Sequence, residues 1–306
     1  MISATMRMRE FNGRDLSRVL SILDVSTPQD RLSAVNFRQK VILQEGFDLG
    51  LCLVAEQDED IIGFIFAPMR KDVGYVNIIA VRPDWRRKGI GTALLHEIEK
   101  RQKERGARRI VVSGGPRYVV PGVDVKAYPT AIDFFLKNGF NETNRDSVSM
   151  YRTLMDYDVP EQILELERRL SMEGFTFQQL DDEHLVDLIH FLKRELPGWD
   201  EDLRKTLDSH PDKLDWVTIA LKDQKVVGYC QIATDGLIEH FGPFAVSSDL
   251  RGRGIGAVIF HRCLKTIQSM GAKNVWFAWG GGRNYRFYSR HGMIEGRRFA
   301  ILVKEI

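Results

Sequence analysis

The stretch Val246-Ser247-Ser248-Asp249-Leu250-Arg251-Gly252-Arg253-Gly254-Ile255-Gly256-Ala257 decides how this chain is read. The apolar run from Phe241 to Val246 leads into it and predicts a buried strand. Ile255, Ile259, Cys263 and Ile267 follow at intervals of four, the spacing of one helix face. The stretch is therefore strand, Gly/Arg-rich turn, helix. A helix start carries free N–H groups and a partial positive charge, so it receives anions. Gly252, Gly254 and Gly256 let an anion approach the backbone, and Arg251 and Arg253 add charge-assisted donors suited to phosphate. The Gly-x-x-x-x-Gly-Lys-Ser/Thr spacing of a nucleoside-triphosphate loop is absent, and so is the Gly-x-Gly-x-x-Gly of a dinucleotide fold. A pyrophosphate or a similar polyanion fits what remains.

The same pattern stands 165 positions earlier, in Val81-Arg82-Pro83-Asp84-Trp85-Arg86-Arg87-Lys88-Gly89-Ile90-Gly91-Thr92. The strands before the two turns keep that register, as Ile61-Ile62-Gly63-Phe64 and Val226-Val227-Gly228-Tyr229. A third pair of blocks follows, Phe134-Phe135-Leu136-Lys137-Asn138-Gly139-Phe140 and Phe287-Tyr288-Ser289-Arg290-His291-Gly292-Met293, now 153 apart. Matching blocks in one order predict duplication of a whole domain. The spacing shrinks because the first half carries the longer loop, Gly114 to Asp124, where the second has only Gly280-Gly281-Gly282-Arg283. Its length and its apolar and aromatic content predict an ordered flap, either over the first site or between the domains.

Arg251-Gly252-Arg253-Gly254-Ile255-Gly256 resembles the acetyl-CoA pyrophosphate loop of the GNAT-type N-acetyltransferases. The order strand, helix, hairpin, strand, turn, helix, strand, helix, strand resembles that family's fold, once per half. The resemblance implies an α/β (α+β) mixed-sheet fold repeated as two tandem GNAT domains, an architecture similar to that of mycothiol synthases. The expected bounds are an N-terminal domain over 1–156, a connecting helix over 157–172 and a C-terminal domain over 173–306. The resemblance also implies acetyl-CoA as cofactor. Ile79 and Val81 would bind the pantetheine arm, with Arg86, Arg87, Lys88, Gly89, Gly91 and Thr92 as the phosphate turn. Phe244 and Val246, with Arg251, Gly252, Arg253, Gly254, Gly256 and Ala257, form the second set. Ser248 departs from the proline at Pro83, and Ala257 lacks the hydroxyl of Thr92.

Acetyl transfer to a primary amine needs a base, because the amine has a pKa near ~10, and the departing thiol, near ~8.5, benefits from an acid. In many GNAT enzymes a tyrosine in the helix after the next strand protonates that sulfur. Tyr288 holds this place in the second half and Phe135 in the first. Glu239 and His240 precede Phe241, and either suits a base; the matching positions in the first half are Gly74 and Tyr75. The expectation is therefore chemistry in the C-terminal half, with Tyr288 as acid and Glu239 as base, on a small-molecule or peptide amine. The acid role of Tyr288 outweighs its other reading as a core aromatic, whereas Glu239 reads equally as an exposed strand-end carboxylate. Trp199 follows Pro197-Gly198, a place that suits contact with the acceptor. A tandem acyl-CoA-binding or sensing module without turnover is the alternative.

The chain of 306 residues is 43% hydrophobic and 28% charged, as expected of two ordinary globular domains. A net charge of +2 gives no support for nucleic-acid binding. Cys52, Cys230 and Cys263 lack metal spacing and sit in apolar patterns, which predicts buried free thiols in a reducing compartment. Met1 to Glu10 shows no signal-peptide core, and runs such as Ile61 to Met69 are too short to span a bilayer. A cytoplasmic protein with no membrane partner is expected; no metal is, and the oligomeric state stays open.

Overall fold

The computed structural model describes residues 6–44, 46–115 and 118–306, apart from the side chain of Arg283. Two compact units form, Met1–Val148 with Arg297–Ile306, and Ser149–Gly296. In the first, β1 (Arg7–Glu10), α1 (Leu16–Ser26) and the short α2 (Ala34–Phe37) precede a hairpin of β2 (Cys52–Gln57) and β3 (Asp60–Phe66). Then come β4 (Met69–Arg70), β5 (Val73–Val76), β6 (Ile78–Val81), α3 (Ile90–Glu104), β7 (Arg109–Val112), β8 (Val123–Asp124), α4 (Pro129–Lys137) and β9 (Asn141–Thr153).

An antiparallel sheet runs β1-β2-β3-β6. Its central strands are apolar at nearly every position because both faces are covered. Leu53, Ala55, Ile62 and Ile65 face a core with Leu94, Leu95 and Ile98 of α3. Cys52, Val54, Phe64 and Phe66 alternate with them and face Val19, Ile22 and Leu23 of α1. The hairpin closes at Asp58-Glu59, both with positive φ, the turn that matches strand twist. Gly63 lets α3 approach: a Cβ there would lie 3.0 Å from Leu94 and 3.2 Å from Ile90.

The strand that feeds the first turn changes partners at Asn77. Before it, β5 pairs in parallel with β7, Val76 opposite Val112. Beyond it, β6 pairs with β3, from Ile78 opposite Phe66 to Val81 opposite Gly63. The two pairings part at this point, and a cleft opens between β6 and β7.

The second unit repeats the plan. Its elements are α5 (Glu161–Met172), β10 (Phe175–Gln179), α6 (Leu185–Glu195), α7 (Trp199–Ser209), β11 (Val217–Lys222), β12 (Lys225–Ile232), β13 (Phe241–Val246), α8 (Ile255–Ser269), β14 (Asn274–Gly280), α9 (Arg283–Arg290) and the start of β15 (Ile294–Glu305). The sheet is β10-β11-β12-β13, again with a two-residue turn at positive φ, Asp223-Gln224. Ile255, Ile259, Cys263 and Ile267 of α8 are all buried, as their spacing predicts. The expected connecting helix is an integral layer of this unit, packed on α8 and β10.

The closing strands differ from expectation. The sequence assigns 147–154 to the first domain and 299–303 to the second. Instead, the Arg297–Glu305 part of β15 belongs to the first unit, where Val303 pairs with Val111 and Ala300 with Val123. Ala300 and Leu302 are buried in its core. The Ser149–Thr153 part of β9 belongs to the second unit beside β14, where Leu154 N–H donates to Lys273 O at 2.8 Å. A duplicated module presents the same strand edge twice, so each closing strand fits the other copy's edge, the logic of a swapped element. The bounds 1–156 and 173–306 therefore give way to the interleaved units.

Unit two also buries a polar chain. Tyr157 Oη lies 2.6 Å from His261 Nδ1, and His261 Nε2 lies 2.9 Å from His291 Nδ1. Burial, then His291 and Arg152, push His261 down to about 3 from its ordinary 6.5; burial, Arg152 and Arg290 lower His291.

Leu302→Ala is expected to cost about 2–5 kcal/mol and to speed amide exchange in Arg109–Val112 of the first unit. A change confined to Asn274–Gly280 would contradict the exchange of strands. The histidine pair gives a second prediction. Unfolding lets His261 take up a proton below pH 6.5, whereas the folded group does so only near 3. Its contribution is therefore complete above pH 6.5 and is lost as pH falls. Between pH 6.5 and 5, denaturant titration of the second unit should show a loss of about 1.5 kcal/mol. His261→Gln should flatten that slope; an unchanged slope would refute the assignment.

Candidate active site

The cleft of the first unit is a cavity of about 510 Å³. Its floor is the parted strand, with Ile79 and Val81 among the lining residues. Arg82 N–H donates to Ile62 O at 2.9 Å, so by alternation the amides of Ile79 and Val81 face away from β3, into the cleft. Val81 O agrees with that direction: it accepts Ser26 Oγ and Arg86 Nε, each at 3.1 Å.

The turn at the cavity mouth is built for an anion. Gly89 caps α3 at φ 84, and no side chain caps the helix. The first helical bond comes from Ala93 N–H to Gly89 O at 2.9 Å, so the N–H groups of Ile90, Gly91 and Thr92 precede the ladder. Arg86, Arg87, Gly89, Gly91 and Thr92 all line the cavity. Arg87 is left-handed at φ 64, where the second turn has Gly252 at φ 83; a side chain there costs about 1 kcal/mol or more. Lys88 lies over the Trp85 ring at 4.3 Å, beside the turn.

The flap lines this cavity, one of the two places the sequence leaves open. Val119, Val120, Gly122 and Val123 line the cavity together with Leu23, Ser26, Thr27, Asp30 and Leu32. Ser113 Oγ donates to Val120 O, and Lys40 Nζ to Tyr118 O at 2.9 Å. Pro116 and Arg117 of the expected flap lie outside the described residues. Tyr128 lines the cavity at the start of α4, where its hydroxyl accepts Gln29 N–H at 3.1 Å. Burial, and then the Asp30 carboxylate, raise its pKa, so it stays protonated. Sequence reasoning passed over Asp30 and Tyr128; the length of the loop was the available signal for this wall.

The second module keeps the turn and lines its cleft with larger rings. Ser247 N–H donates to Val227 O at 2.8 Å, so the amides of Phe244 and Val246 face away from β12, as in the first module. Phe244 replaces the smaller Ile79, and its ring stacks on Phe287 at 5.6 Å. Tyr288, 7% exposed, packs against Phe277 at 4.7 Å, Phe260 at 5.6 Å and Phe241 at 5.7 Å. Burial raises its pKa. Tyr288, expected as an acid, is thus buried among aromatic rings. Glu239 is half-buried; its carbonyl accepts Trp276 N–H at 2.9 Å, and His240 stacks on Trp276 at 4.4 Å.

The second turn is also occupied by its own chain. Gly254, at φ 93, lies under Leu166 of α5: a Cβ there would come within 2.8 Å of it. Gly256 lies against the Phe244 ring, 3.1 Å from where a Cβ would stand. Ala257 N–H donates to Gly254 O at 3.0 Å. Arg253 pairs with Glu173 and covers the Phe175 ring at 5.2 Å. Arg251 Nε donates to Val246 O at 3.2 Å, and its tip lies 3.8 Å from Glu195. Glu195, 8% exposed, accepts Ser248 N–H at 3.1 Å and Ser247 Oγ at 3.3 Å. Burial opposes its ionisation, but Arg194 and the Ser248 N–H hold its pKa below the usual value.

The comparisons agree with this duplication. Residues 48–142 match the model of the acetyltransferase (GNAT) domain, and 178–293 that of the acetyltransferase (GNAT) family. No curated protein matches the chain in sequence. A fungal multi-domain GH3 β-N-acetylglucosaminidase with a GCN5-related glucosamine N-acetyltransferase region has a similar structure. The likeness extends over 99% of this chain at 20% identity and a TM-score of 0.83, and this chain spans 38% of that one. A GCN5-related N-acetyltransferase from Sphaerobacter thermophilus is similar over 98% of this chain and 95% of its own, at 19% identity and a TM-score of 0.73. A tandem GNAT protein from the clavulanic acid biosynthesis pathway is similar over 98% of both chains, at 14% identity and a TM-score of 0.63. These likenesses concern the fold. With one matched module in each half, together more than half of its length, the chain belongs to the GNAT acetyltransferase family as a tandem member.

Proposed function

We propose that the protein is an acetyl-CoA-dependent N-acetyltransferase that binds its acyl donor in the first module and passes the acetyl group to a primary amine of a small molecule. The observation that carries the reading is the open cleft between β6 and β7, with the uncapped start of α3 at its mouth. Ile90, Gly91 and Thr92 N–H groups, with Arg87 and Lys88, would hold the pyrophosphate. The pantetheine arm would lie along β6, hydrogen-bonded to the Ile79 and Val81 amides. A fixed amide on that strand would also stabilise the oxyanion formed when the amine attacks the thioester carbonyl. The C–S bond then breaks and the thiolate leaves. The amine must be neutral to attack, so it sheds its proton first.

This reading moves the chemistry from the second module, where the sequence places it, to the first. The ring-lined second cleft and the self-paired arginines around Gly254 support the move. The fungal relative's description makes amino sugars the first acceptors to try, followed by polyamines and peptide N-termini. Phe135, which has no proton to give, favours the alternative of an acyl-CoA-binding module without turnover. Release of free thiol with any of these amines separates the two.

Calorimetric titration should give one acetyl-CoA per chain. Gly89→Val, which forces a β-branched side chain into the left-handed turn, should weaken binding at least tenfold, while Gly254→Val leaves it unchanged. Two equivalents, or loss with Gly254→Val alone, would contradict the assignment. Tyr288→Phe should leave turnover within twofold of the parent; a loss of a hundredfold would return the acid role to the second module.

A further inference from the structure

We propose that Arg297 is a positioning residue for the first cleft, joining two separate walls of the cavity to the last strand of the chain. The inference rests on the reading above that acetyl-CoA occupies this cleft. Arg297 lies on β15, within the part of that strand that belongs to the first unit. Its Nη1 and Nη2 grip Asp30 as a fork, at 2.6 and 3.0 Å, and its Nε donates to Asp124 at 2.6 Å. The guanidinium lies over the Phe299 ring at 5.1 Å.

Each carboxylate anchors a different wall. Asp30 lines the cavity between Thr27 and Leu32. It also reaches the Tyr128 hydroxyl, which Gln29 N–H meets from the same loop. Asp124 ends the flap whose Val119, Val120, Gly122 and Val123 also line the cavity. Its Oδ1 accepts the N–H groups of Lys126 and Ala127, each at 2.9 Å, which fixes the entry to α4. Both carboxylates are nearly buried, at 10% and 7% exposed. Without the guanidinium they would face one another with no cation between them. Like charges in a part-dry site repel, and breaking such a pair leaves an uncompensated buried charge. The two segments would then move apart, and the cleft would lose its fixed shape. A lysine supplies the charge but not the planar fork that spans both carboxylates.

The test measures amide exchange and acetyl-CoA binding on the full chain. Arg297→Ala should speed exchange at least tenfold in both 27–32 and 118–124 and raise the acetyl-CoA Kd at least tenfold. Arg297→Lys should recover part of each. Asp30→Asn cuts one arm only, so exchange should rise in 27–32 and stay near the parent in 118–124; it serves if Arg297→Ala does not fold. Arg298→Ala, on the same strand but paired with Asp146 at 3.7 Å, should change neither segment. Parent-like exchange and Kd in Arg297→Ala would overturn the inference, as would loss of both in Arg298→Ala. If the parent chain binds no acetyl-CoA, the functional reading fails, and the exchange data still decide whether Arg297 holds the two walls.

Discussion

The first module depends on one strand leaving one partner for another. At Asn77 the chain stops pairing with β7 and starts pairing with β3, and the cleft is the wedge between those pairings. Once the strand has parted, the amides of Ile79 and Val81 have no neighbouring strand to bond. They are held rigid by the β3 ladder on their other side. A helix start lies at the end of that strand, so a polar channel and an anion seat follow from a single change of partner. None of this calls for an unusual residue at the site beyond Arg87, the side chain forced into a left-handed turn where the second copy has Gly252.

The second module follows the same backbone plan, with turns and hairpin at matching positions. Its difference is one of volume and charge. Phe244 takes the place of Ile79, and the rings of Phe241, Phe260, Phe277 and Phe287 surround Tyr288. These rings crowd the second cleft, with Phe244, Val246 and Phe287 half-buried. At the turn, Glu173 and Glu195 give the arginines partners from within the unit, so an incoming anion would have to displace a carboxylate. Leu166 on Gly254 completes the cover. One fold thus presents an open, cationic mouth in one copy and, in the other, a ring-lined cleft whose turn arginines are paired within the unit.

Much of the fold was legible because its signals are local. The spacing of 165 survives in the turns and in Gly63 and Gly228, where α3 and α8 need the missing Cβ to approach the sheet. The period of four in Ile255, Ile259, Cys263 and Ile267 reads directly as a buried face. The exchange of closing strands was not legible, because Ser147–Leu154 and Phe299–Val303 each read as a strand and nothing in either names its neighbour. The state of the second cleft was not legible for a related reason. Tyr288 occupies the position of an acid, and only the rings brought to it by β13, α8 and β14 make it a core residue. Arg297 left no trace in the sequence either, since its partners lie 267 and 173 positions away.

The most direct test is amide exchange with and without saturating acetyl-CoA, read segment by segment. Acetyl-CoA should protect Ile78–Val81 and the first turn of α3, around Ile90 to Ala93, and leave Phe241–Val246 and Ile255–Val258 unchanged. Protection of the second pair of segments in place of the first would contradict the account.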